Sequence, residues 1–292
     1  MHASPSTWVT RLLWLTLPLT LGDLLADALG ERSSEVALSG TIALWVCWTA
    51  ALIASLVLLP VTLTLLRILA PLPVIAGVAA AIQHAPSALG WIGLATAAVV
   101  GVVALTADVG DDFVNGSSYG DERRMALRPP ALLLLGPMEA AWLLTVGPIA
   151  AAVLLLGAEQ WLAGVALAVI GAGTAWWGFR ILSRLARRWL VFVPAGLTVV
   201  DPLALAEPTL FRRDTIVRLG PAPADTQAVD LTAGASGLIV QIDLDIPAAL
   251  VPVVGRKALA ESIDVHSVLI APTRPGAMLA DAEDRRIAVQ RA

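Results

Sequence analysis

Glu139 is the residue whose type and setting most invite chemistry. It lies in Gly136-Pro137-Met138-Glu139-Ala140-Ala141-Trp142, inside an otherwise uncharged apolar run from 131 to 156. At 1.5 Å per helical residue, that is about 12 Å into the run. A carboxylate in hydrocarbon is costly, and it turns toward a bundle interior or a water-filled path. Two charged residues in neighbouring apolar runs are candidate partners, Arg67 and Asp23. A Glu139–Arg67 pair would be structural, whereas a Glu139–Asp23 pair could share a proton and would suit a small transporter or channel. In the third reading, Pro137 bends the chain near the interface and Glu139 reaches headgroups or water.

The second candidate is the polar stretch 108–130, which is long for a connection between apolar runs. It contains Tyr119, the only tyrosine, followed by Gly120, Asp121, Glu122, Arg123 and Arg124. Gly116-Ser117-Ser118-Tyr119-Gly120 matches the spacing of a serine-hydrolase elbow. That motif needs a strand before it, a helix after it, and His and acid partners. No strand is expected there, and the only histidines are His2, His84 and His266. The acidic run fails the spacing of a calcium loop, since Phe113 stands where Asp or Asn is required. The stretch therefore reads as a solvated connector that packs against the C-terminal domain.

Other chemistries lack residues. Lys257 is the only lysine, so a phosphate-binding loop ending in Lys and lysine Schiff-base chemistry are absent. One cysteine, Cys47, and three scattered histidines do not make a usual zinc site, and Cys47 has no disulfide partner in the chain. No cofactor, no metal and no catalytic constellation is expected.

The elements that would position these residues follow from composition. The 292 residues are 58% hydrophobic and 14% charged, with mean hydropathy +0.80, whereas soluble domains carry about 25% charged residues. The deficit is confined to the first 180 residues. A crossing helix needs about 20 apolar residues, and six runs qualify: 12–29, 36–59, 63–82, 88–107, 131–156 and 161–182. Asp23 and Asp27 shorten the first, and Pro71 and Pro73 weaken the third. Trp8, Trp91, Trp161, Trp177 and Trp189 fall near run ends, where amphipathic rings favour the headgroup level. Gly164, Gly171 and Gly178 share one face of the last run and allow close helix packing within the chain or between copies.

Residues 1–188 hold ten arginines and no lysine. Short cytoplasmic loops are enriched in such charges. With six spans and the N-terminus inside, nine of those ten arginines are cytoplasmic and only Arg32 is outside. If the third run does not span, the N-terminus moves outside and eight remain inside. Either count makes 108–130 and the C-terminal domain cytoplasmic, in a cell (inner) membrane. The start also fits a signal peptide ending at Ala26-Asp27-Ala28. The net charge of −4 and the membrane-flanking arginines give no nucleic-acid signal. The Arg, Ala, Val and Gly bias suits a GC-rich bacterial genome.

The expected organisation is a membrane domain over 1–183 and a soluble β domain over 184–292. After the last run, apolar periodicity turns alternating. Strands are expected at 188–193, 197–200, 209–212, 215–219, 228–231, 238–244 and 267–271, with a helix from Pro275 to about Ala288. The stretch 246–264 is ambiguous. Arg187-Arg188-Trp189-Leu190-Val191-Phe192-Val193-Pro194, then Gly196-Leu197-Thr198-Val199-Val200-Asp201, then Phe211-Arg212-Arg213-Asp214-Thr215-Ile216, resembles the opening strands of bacterial pleckstrin-homology-like domains. The last strand and helix resemble that fold's closing elements. The resemblance covers about a third of the chain, and 246–264 departs from it by being longer and more apolar. It implies a bent β-sandwich closed by one helix, acting on peptides, lipid headgroups or assembly partners, without catalysis. The alternative is another small β domain.

Headgroup contacts would come from Arg184, Arg187, Arg188, Arg212 and Arg213, since juxtamembrane basic residues are attracted to anionic lipid. Orientation alone also accounts for those near the membrane. The expected function is a membrane-anchored assembly or binding module, partnered by the bilayer and by another protein or a second copy. The competing reading is a small transporter or channel using Glu139 and Asp23.

Overall fold

The computed structural model describes residues 3–254, 257–258 and 261–290. His2 and part of the ambiguous stretch 246–264 lie outside the described residues. The chain divides into two compact units, Met1–Phe113 with Glu139–Ser183, and Val114–Met138 with Arg184–Ala292.

The first unit is helical. Its helices are α1 Pro5–Thr20, α2 Gly22–Gly30, α3 Ser34–Leu56, α4 Pro60–Leu69, α5 Leu72–Gln83, α6 Ala88–Ala104, α7 Ala107–Asn115, α8 Pro137–Gly157 and α9 Trp161–Leu185. The starts of α1, α3 and α6 are set by Ser4, Ser33 and Ser87, whose hydroxyls accept from the backbone N–H three residues on. Four segments are long and apolar enough to cross a membrane: Ser34–Leu56, Pro60–Gln83, Pro137–Gly157 and Trp161–Leu185. The count rises to six if α1 with α2, bent by 41°, and α6 with α7, bent by 57°, each form one span. Pro71 and Pro73 do not break the third run. Pro71 is the N-cap of α5 and Pro73 sits in its first turn, where a missing N–H leaves no bond unmade.

Close backbone approaches join these helices. A Cβ on Gly93 would lie 2.7 Å from the Thr20 and Leu21 backbone, so α6 crosses α1 at its bend on a residue without a side chain. The Gly164, Gly171 and Gly178 face of α9 is used inside the chain, against Leu156, Ile149 and Thr145 of α8.

Several features differ from the sequence expectation: the first run, 12–29, falls on two helices, α1 and α2, the last helix ends at Asp284, and residues 114–138 belong with the β unit and not with the helical one. The fifth run does not begin at 131. Residues Ala131–Leu134 form a 3-10 turn, Gly136 follows with φ 122°, and α8 starts at Pro137. Glycine takes that backbone conformation without a Cβ clash. The stretch 108–130 is also not a bare connector, because α7 occupies its start and β1, Arg123–Ala126, its end.

The second unit holds two four-stranded sheets and a helix. In the first sheet, β1, β2 (Trp189–Val193), β3 (Gly196–Val200) and β4 (Thr209–Arg212) pair antiparallel in that order. The second runs β5 (Ile216–Pro221), β7 (Val240–Leu250), β10 (Ile263–Ile270), β6 (Val229–Asp230), with β6 parallel to β10. Val253–Val254 (β8) and Lys257–Ala258 (β9) make a small ribbon, and Pro275–Asp284 (α10) follows the sheets. Inward residues alternate along the strands, as in β4 with Thr209 and Phe211 buried and Leu210 and Arg212 exposed. Leu190, Phe192, Leu197, Phe211, Ile242, Val268 and Met278 form the core, and Met125 and Leu127 from the β1 segment belong to it.

Candidate functional site

The β unit is built from two stretches of chain separated by α8 and α9. Arg188 joins them. Its Nε donates to both Asp201 oxygens at 2.9 Å and its Nη2 to Oδ2 at 2.7 Å. The same guanidinium donates to the carbonyl of Arg128 at 2.5 Å and to that of Thr232 at 3.1 Å. Both charged side chains are sealed, at 1% and 0% exposure. A buried charge is tolerated only when paired and hydrogen-bonded, and here the pair spends its bonds across the β1 segment, the β2–β3 hairpin and the 232 turn. Arg128 continues the stitching, donating through Nε to Pro272 O at 3.1 Å and through Nη1 to Ser236 O at 3.0 Å. Arg188 is thus a core residue of the β unit and takes no part in a basic surface.

The other candidate headgroup residues lie at the surface. Arg184, Arg187 and Arg213 are exposed. Arg212 is exposed and forms a two-pronged pair with Asp214, 3.0 and 2.7 Å. That pair raises the Arg212 pKa and lowers that of Asp214, in both cases first through the hydrogen bonds between them.

The loop candidates hold the β1 segment. Arg124 donates to Ser117 Oγ at 2.7 Å, pairs with Glu122 at 3.4 Å, and lies 6.0 Å over the Trp189 ring. Asn115 Oδ1 accepts from the Arg124 N–H at 2.9 Å. Arg123 pairs with Asp281 of α10 at 3.4 Å, and Arg285 donates to the Asp121 carbonyl at 2.7 Å. Tyr119 points out, 87% exposed. The Ser117 region has a helix before it and a strand after it, the reverse of what a nucleophile elbow needs.

The intramembrane candidates serve helix ends. Arg67 donates to the carbonyls of Ala104 and Thr106, both at 3.2 Å, at the C-terminus of α6, where helix carbonyls lack partners and cations are favoured. Asp111 is its acidic neighbour. Glu139 is exposed in the first turn of α8, where the helix dipole favours a negative charge. Asp23 is exposed in the first turn of α2. Glu139 and Asp23 are not brought together. Trp142, one turn past Glu139, donates to the Ile68 carbonyl at 2.9 Å, whereas Leu21, near Asp23, packs at Gly77. Nine residues of helical rise separate those two levels by roughly 13 Å.

Sequence reasoning missed a polar cluster between α1, α3 and α7. Arg11, buried, donates twice to the Ser55 carbonyl at the end of α3, 2.9 and 2.6 Å, and lies 5.0 Å over Trp8. Asp112 accepts from the Ser4 N–H at 2.7 Å and the Thr7 hydroxyl at 2.6 Å, and Asp108 from Ser6 at 3.3 Å. Asp112 thus completes the N-terminal cap of α1 from another helix. The spacing of Asp108, Asp111 and Asp112 was the available signal, because it puts all three on one helical face.

A cleft opens on the β unit. It measures about 400 Å³ and lies between β4 and the outer half of β7, with Leu210, Arg212, Ile246, Pro247 and Ala248 in its walls. β4 is the edge of its sheet. Since the Arg213 N–H bonds to Ala195 O, the alternation of the antiparallel ladder turns the Leu210 N–H and C=O to the open side. Four residues of β7, Leu244 to Pro247, stand against a single residue of β10, and this bulge leaves Ile246 exposed beside the edge. No group of three or more potential metal ligands occurs among the described residues.

Comparison with family models, with curated proteins and with solved structures gives no match to this chain.

Proposed function

We propose that the chain is an integral membrane protein whose helical unit anchors a small β domain that binds an extended peptide segment of another protein. The observation that carries this is the open edge of β4 beside a cleft lined by Ile246, Pro247 and Ala248 together with Glu207, Thr215 and Ser262. An edge strand offers main-chain donors and acceptors to an added strand, and neighbouring pockets take its alternate side chains. The resemblance to bacterial pleckstrin-homology-like domains points the same way, supported by two packed sheets followed by a helix. Two features depart from that pattern, the parallel β6–β10 pair and the β1 strand that precedes α8. The activity is non-enzymatic. By the placement of arginines, the β domain is cytoplasmic in a bacterial cell membrane.

The transporter reading draws little support. Arg11, Arg67, Asp112 and Trp142 spend their bonds on helix ends, and Glu139 and Asp23 sit at different levels. Affinity purification of the full chain in mild detergent tests the proposal. A stoichiometric partner that is lost on Leu210→Asp or Ile246→Asp is expected. A protein that purifies alone and moves ions in liposomes overturns it.

A further inference from the structure

Leu132, Leu134 and Leu135 are 74%, 46% and 80% exposed, though they belong to the β unit. They stand on the 3-10 turn Ala131–Leu134 and the residue after it, directly before α8. The turn is not loose. The Ala131 N–H donates to the Gly234 carbonyl at 3.0 Å, and Arg128, three residues earlier, donates to Ser236 O at 3.0 Å. These bonds hold the 233–238 turn beside it, and that turn carries a further exposed leucine, Leu238, at 48%. Four large apolar side chains on two tied turns are more than scattered surface leucines, and such patches mark an interaction surface.

We infer that these two turns seat the β domain in the membrane interface, with Leu132, Leu134, Leu135 and Leu238 among the outer parts of the acyl chains. This rests on the reading of α8 as a membrane span. The occupant follows from the chain itself, since Leu135 lies two residues before the start of α8, a helix long and apolar enough to cross a membrane. It also follows from charge. Arg184 and Arg187 are exposed at the end of α9, a second helix of membrane length, where basic residues are attracted to anionic headgroups. The β domain would then contact lipid directly as well as through its tethers.

Single cysteines at Leu132, Leu135 and Leu238 in a Cys47→Ala background test this, using the full chain in vesicles of phosphatidylcholine and phosphatidylglycerol. Each is labelled with a nitroxide, and collision with oxygen, which concentrates in lipid, is compared with collision with a water-soluble nickel chelate. Val169→Cys on α9 and Asp225→Cys on the β unit are the references. The inference expects the three leucine positions to behave as Val169 does, with high oxygen and low nickel accessibility. Nickel accessibility equal to that at Asp225 overturns it, and so does shielding from both reagents, which would mean a protein cover. A water-exposed label at Val169 would instead remove the membrane reading on which the inference rests.

Discussion

Arg188 and Asp201 face each other across the β2–β3 hairpin, 2.7 Å apart and sealed from solvent. The pair also reaches the Arg128 and Thr232 carbonyls, so one guanidinium ties together parts of the chain separated by two membrane-length helices. Removing one partner leaves the other charge buried, a loss of about 3–5 kcal/mol. Arg188→Met and Asp201→Asn should each destabilise the β domain by that order in chemical denaturation. The double variant Arg188→Met with Asp201→Leu should recover most of the loss, because no charge is stranded.

The β domain should not fold from its C-terminal stretch alone. A fragment of residues 184–292 lacks β1, buried Met125 and Leu127, and the Arg128 carbonyl that Arg188 needs. It should show poorly dispersed amide resonances. Joining residues 114–136 to it by a flexible linker should restore dispersion. Equal dispersion in both would mean that β1 is dispensable.

Trp14 and Trp48 exchange hydrogen bonds, each indole donating to the other's carbonyl at 3.0 Å. Pro18 explains half of this exchange. It lies four residues after Trp14 inside α1 and has no N–H, so the Trp14 carbonyl lacks its helical donor. In an apolar setting that carbonyl must find another. Trp48→Phe should cost about 1–2 kcal/mol. In a Pro18→Ala background, where the helix supplies the missing N–H, the same change should cost less. Thermal unfolding of the four proteins in detergent measures the difference.

Asp214 has its pKa lowered by hydrogen bonds from Arg212. A depressed carboxylate contributes stability above its unfolded pKa and loses it as pH falls through the folded value. The contribution is therefore present at neutral pH and vanishes in acid. Because the pair is fully exposed, Asp214→Asn should leave the unfolding midpoint nearly unchanged at neutral pH. Arg212→Ala should raise the Asp214 pKa toward the ordinary carboxylate value in a carboxyl NMR titration.

Much of this architecture was legible in the sequence, and the failures share a cause. The apolar runs and the β2–β3 hairpin follow from periodicity and the glycine turn. That hairpin even contains the Arg188–Asp201 pair, since Val193 opposite Gly196 sets Arg188 opposite Asp201. Arg188 reads as a headgroup or orientation residue because positive-inside counting treats every arginine near an apolar run alike. Burial depends on a strand, β1, that sits before α8, and no local pattern announces a pairing across two intervening helices. Hydropathy runs on through Gly136, whose positive φ ends the preceding turn, so the apolar run puts Glu139 deeper than its place in the first turn of α8. Asp108, Asp111 and Asp112 share a face only once the stretch is a helix, α7, and a calcium-loop spacing does not reveal that face.

The central claim, that the β4 edge receives a partner strand, is tested most directly by crosslinking in intact cells. A photoreactive phenylalanine analogue would replace Leu210, Ile246 or, as reference, Val217, which is equally apolar and exposed on β5 but outside the cleft. The account predicts a discrete protein adduct from positions 210 and 246 and none from 217. Absence of adducts at 210 and 246, or the same adduct from all three positions, would contradict it.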